Sequence, residues 1–156
     1  MFGFLNRNRS DRGKRESPTG SPEEENRLIE LFVFVCGLLE LQFIVIPKGE
    51  QIVNRGVVNE EAVGYIQGFW AAAVKAAGVD PNTSKGATAL HGIYTRLLGD
   101  DAKTILPILA SDKGPDFARG ANSGWSEYLE WAASGGQFKP TGLYMSFRSA
   151  FPEPFR

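Results

Sequence analysis

The sequence predicts a mainly α protein, a compact bundle of about five helices with a disordered basic arm before it and an extended aromatic tail after it. Three observations carry this reading. Apolar residues recur three and four apart through most of the chain, the spacing of one helical face. Capping side chains, prolines and acids stand before those stretches, and glycines stand after them. The chain has 156 residues, 42% of them hydrophobic and 22% charged, which suits a single soluble domain. The expected organisation is a flexible basic arm over residues 1–22, a helical domain over 23–136, and an extended tail over 137–156 that packs on the domain or on a partner.

The arm carries five basic residues against two acidic ones, a net charge of +3, and the rest carries twelve against sixteen, a net −4. From Asn6 to Pro22 there is no apolar residue. Such a stretch cannot offset an ordering entropy of ~1–2 kcal/mol per residue. The five residues ahead of it are mostly apolar. Phe2, Phe4 and Leu5 followed by Arg7 and Arg9 form a contact suited to an anionic membrane surface. A secretory signal fits badly, because there the charges precede the apolar segment. The acidic body offers no clustered cations for specific nucleic-acid binding.

The first helix is expected to start at Ser21-Pro22, with Glu23, Glu24 and Glu25 in its first turn. Leu28 to Ile46 is long enough to suggest a membrane span, but Glu40 lies inside it, and a charge at mid-bilayer costs roughly 2.5–3.5 kcal/mol on insertion scales. A buried core helix is therefore favoured, with Leu28, Leu31, Phe32, Val35, Leu38, Leu39 and Phe43 at helical spacing. Its end is β-branched and aromatic, so Gln42–Ile46 can turn into a strand and pair with Gln51–Val53 across Pro47–Glu50. Asn59-Glu60-Glu61 caps a second helix that Gly78 ends. Gly64 and Gly68 give this helix a face of small residues that lets another helix approach closely. A turn at Val79–Asn82 leads to a third helix, capped by Thr83 or Ser84 and closed by Gly99. A short fourth helix over Asp101–Ala110 contains Pro107, which should kink or split it. The fifth starts at Pro115-Asp116, runs to Trp131 or Ala133, and has Gly120 and Gly124 on one face. Beyond Gln137 no cap is visible, and Phe138, Phe147, Phe151 and Phe155 are expected to drape over the bundle or a partner.

Reactive groups are scarce. One cysteine and one histidine cannot build the usual zinc site or a disulfide framework, so no metal and no cofactor is expected. Cys36 lies in the most apolar segment, the opposite of a nucleophile's setting. Asp80–Gly86 alternates oxygen-bearing residues but has Lys85 and His91 where a calcium loop needs Gly and Glu. His91 is the one side chain that titrates near neutrality in its ordinary state, so it is the catalytic candidate. His91, Tyr94 and Arg119 are the ligand-binding candidates, Arg119 because the polar corner after Ser111 can receive an anion. Gly64, Gly68, Trp70, Phe147 and Phe151 are the residues expected at an interface.

The function expected from this balance is a non-catalytic protein–protein interaction module that self-associates, with a protein partner, most simply a second copy of the chain. Two alternatives are a peripheral membrane-associated factor acting through the arm, and a small-ligand binder or enzyme with His91 in a helix-lined pocket. The expected localisation is cytoplasmic, at the inner face of a membrane if the arm engages lipid.

Overall fold

A computed structural model describes residues 22–44, 52–54 and 57–150. The fold is a mainly α bundle. In chain order it comprises α1 (Pro22–Ile44), a two-residue pair β1 (Val53–Asn54) and β2 (Val57–Val58), α2 (Glu60–Ala76), α3 (Ser84–Leu98), a 3-10 turn (Gly99–Asp101), α4 (Ala102–Ala110), α5 (Pro115–Ala133) and α6 (Gly142–Ala150).

The helix starts follow local chemistry. Asn59 Oδ1 accepts from Ala62 N at 3.1 Å and caps α2, and Thr83 Oγ1 accepts from Gly86 N at 3.1 Å and caps α3. Each satisfies a backbone donor that a helix start leaves free. Gly78 and Gly99 follow the ends of α2 and α3 at φ of 77° and 58°, a conformation that favours glycine. α4 runs through Pro107 without splitting, because only the Lys103 carbonyl, on the open side of a short exposed helix, loses its donor.

The centre of the molecule is the crossing of α2 and α5. A Cβ on Gly64 or Gly68 would collide with the backbone of Phe117 or Ala121, and one on Gly120 or Gly124 with the backbone of Glu61 or Tyr65. The pattern is reciprocal: each glycine faces a residue three positions before a glycine of the other helix. Early residues meet early residues, so the helices run parallel. Such contact brings Cα–H groups onto carbonyls, a geometry closed to any larger residue. Parallel neighbours cannot be joined by a tight turn, so α3 and α4 carry the chain back between them. Around the crossing, Val63, Ile66, Phe69, Trp70, Ile93 and Ile105 form the core, each at most 1% exposed.

Two expectations about the ends need correction. α1 stays helical through Gln42 and Phe43 to Ile44, in place of the expected strand, and Val53 pairs with Val58; residues 45–51 of the expected hairpin lie outside the described residues. Gln42 is held in the helix because its side chain is 5% exposed and engaged on both ends. The tail is not extended throughout, since residues 142–150 form α6. Its cap is supplied from α5: Glu127 accepts from Gly142 N at 2.9 Å and Thr141 N at 3.3 Å. A cap contributed by a residue 14 or 15 positions away leaves no local signal. The arm ahead of Pro22, Gln51, Phe151 and Phe155 lie outside the described residues.

Candidate functional site

The residues singled out as a catalytic or ligand site are not brought together. His91 is exposed on α3 and lines none of the clefts described below. Tyr94, one turn on, is buried and donates to the Val63 carbonyl at 2.7 Å, and burial pushes its phenol well above the ordinary range. Arg119 is on α5, bonded to Glu61 and Asp116 at 2.8 Å each, so it ties α2 to α5 and is already neutralised. Gly64, Gly68 and Trp70, expected at an interface, are instead occupied within the chain. The glycines face α5, and the Trp70 indole donates to the Gly86 carbonyl at 3.2 Å. Phe147 falls within α6. Cys36 is fully buried, and desolvation pushes its thiol up to about 11.

The most developed polar cluster joins four helices. The Tyr65 hydroxyl donates to Glu127 Oε2, and Gln42 Nε2 donates to the same hydroxyl at 3.3 Å. Gln42 Oε1 in turn accepts from Leu143 N at 3.1 Å. Burial, with the adjoining carboxylate second, raises the Tyr65 phenol far beyond its usual value, so it stays a proton donor at any physiological pH. Every member of this cluster is engaged by another, which makes it a clamp on α6.

Among the described residues, most of the exposed large apolar side chains lie on α1, where Phe34 also leans on the Trp131 ring at 5.1 Å between centroids. Ile29, Val33, Phe34, Leu41 and Ile44 are each between 41% and 77% exposed. A helix apolar on nearly every side cannot bury every side against one bundle. Leu28, Val35, Cys36 and Leu39 go inward, and the opposite stripe is left in water. Glu40, at the edge of that stripe, is paired with Arg96 of α3 through Nε at 2.6 Å and Nη2 at 3.2 Å. That pairing holds the Glu40 carboxyl below its usual value. The charge that argues against a membrane span thus serves as a surface tie between α1 and α3.

Apolar depressions adjoin the stripe. A shallow trough of about 500 Å³ lies over Gly37, between Val33, Phe34 and Leu41. A cleft of about 440 Å³ opens beyond Leu41, walled by Trp131, Phe138 and Tyr144, with Lys139 at its rim. A third, of about 390 Å³, lies between α1 and α3 beside Ile29. Sequence periodicity marks the buried half of α1, yet it does not mark the other half as exposed. The signals that could have found it are a helix apolar all round and a glycine at its middle.

Among the described residues no helix is long and apolar enough to cross a membrane, and no group of three or more His, Cys, Asp or Glu side chains could hold a metal ion. No protein-family model matches the chain, and no curated protein or solved structure matches it.

Proposed function

We propose that the chain is a non-catalytic helical protein–protein interaction module that self-associates. The observation that carries this reading is the exposed apolar face of α1, on a body whose polar clusters are engaged in packing. With Phe34 included, that face presents on the order of 600 Å² of apolar surface, the upper end of what a monomer carries. Covering it in a complex removes it from water at ~25 cal/mol per Å² before the costs of association. Sedimentation velocity of the full chain from micromolar to submillimolar concentration tests the reading. A shift from monomer to a discrete dimer is the expected result, and a single monomeric species throughout would overturn it.

A second reading rests on the +3 charge of residues 1–22 and on the sequence Phe2, Phe4, Leu5, Arg7, Arg9. In it the arm holds the module against an anionic membrane surface. Co-sedimentation with vesicles containing anionic phospholipid, lost on deleting residues 1–15, is the expected outcome. Binding that survives the deletion would remove the arm from consideration.

A further inference from the structure

We infer that two copies of this chain dock antiparallel through α1, with the two-fold axis passing by Gly37. The inference rests on the self-association reading and specifies its geometry.

The first observation is the glycine. Of the α-helical glycines, Gly37 is the one whose added Cβ would meet nothing within 4 Å. Gly64, Gly68, Gly120 and Gly124 each let another backbone in, and Gly86, Gly92 and Gly142 are each crowded by a neighbour. A glycine in mid-helix has a cost of ~0.5–1 kcal/mol relative to alanine. Among the described residues nothing requires it at position 37. It sits at the floor of the apolar trough, where a second helix can approach most closely. This chain already brings helices together over glycines at the α2–α5 crossing.

The second observation is symmetry. Val33 and Leu41 lie four positions, about 6 Å along the helix, on either side of Gly37; Ile29 lies eight positions before it and Ile44 seven after. A two-fold axis at Gly37 therefore brings Val33 level with Leu41 of the other copy, and Ile44 level with Glu30, next to Ile29. Self-complementarity of this kind is what an isologous dimer requires and what an unrelated partner does not. The exposed area, on the order of 600 Å², approaches the ~800 Å² per partner of a standard interface. Beyond Leu41 the apolar surface continues to Phe138, which extends it further.

Charge favours an antiparallel second copy over an anionic lipid surface. Glu23, Glu24, Glu25 and Glu30 lie toward the N-terminus of α1, so an antiparallel pair keeps those of the two copies at opposite ends of the contact, whereas an anionic bilayer would meet them.

Disulfide trapping in the full chain tests the arrangement. Val33→Cys and Leu41→Cys are made separately, both at exposed positions where folding is checked by thermal melting, with the wild type and its buried Cys36 as control. The antiparallel geometry places residue 33 opposite residue 41 of the other copy. A mixture of the two variants should cross-link roughly tenfold faster than either alone, because a bridge needs Cα atoms within ~7 Å. Leu41→Glu should weaken the dimer at least tenfold and leave the melting temperature of the dilute protein unchanged. Each variant cross-linking with itself would mean parallel pairing and overturn the inference. A dimer that neither cross-links nor responds to Leu41→Glu would overturn it too, while self-association stands. A strict monomer would remove both. Binding to vesicles of anionic phospholipid that Leu41→Glu abolishes, with no dimer in solution, would reassign the face to lipid.

Discussion

Cys36 shows how the fold sets a residue's chemistry. Burial lifts its thiol from the ordinary 9.0 to about 11, so at neutral pH it is a small apolar side chain with no thiolate to offer. Native protein should react with a disulfide reagent only as fast as it opens, and at once in denaturant, which a thiol-release assay measures. The pH consequence follows from the direction of the shift. The folded value is the higher one, so stability is fully present below pH 9.0 and falls between about 9 and about 11, where the unfolded chain releases a proton that the folded chain keeps. The slope is at most about 1.4 kcal/mol per pH unit. Denaturant titrations of wild type and Cys36→Ala should show the variant flatter over this window. Buried Tyr65 and Tyr94, raised from an ordinary 10.0, steepen both curves from about pH 10 upward.

Among the elements, α2 and α5 hold the fold together through glycine, and α1 carries a glycine that meets no other described residue. The two classes should respond oppositely to alanine. Gly64→Ala or Gly120→Ala puts a methyl into a neighbouring backbone and should cost about 1–3 kcal/mol each, with the double variant failing to fold cooperatively. Gly37→Ala meets open space in the monomer and should stabilise the dilute chain by ~0.5–1 kcal/mol through helix propensity. Urea unfolding at low protein concentration separates the two, and a destabilising Gly37→Ala would contradict the open environment of that residue. α4 is a quieter case. It tolerates Pro107 because a nine-residue helix near the surface loses one bond and no core contact.

For the whole molecule, the clamp of Gln42, Tyr65 and Glu127 ties α1, α2 and α5 to the start of α6. Glu127→Gln keeps the shape but weakens a charged acceptor shared by a phenol and two backbone N–H groups, which should cost about 1–3 kcal/mol. Hydrogen exchange should quicken at Thr141, Gly142 and Leu143 and stay unchanged at the α2–α5 crossing; uniform acceleration would show that α6 does not open independently. Asn59 makes a related link, capping α2 through its oxygen while its amide donates to the Ser146 carbonyl at 3.2 Å. What the sequence by itself determined is what local chemistry decides: the starts of α2, α3 and α5, the glycines that follow α2 and α3, the burial of Cys36, and the scarcity of reactive groups. Only the tertiary structure decided which glycines meet a backbone, that His91, Tyr94 and Arg119 go separate ways, that residues 142–150 form a helix, and which half of α1 faces water. The reason is range. A cap three residues away is written beside the helix it starts, whereas Glu127 and the apolar faces of α1 acquire their roles from residues that only folding brings near.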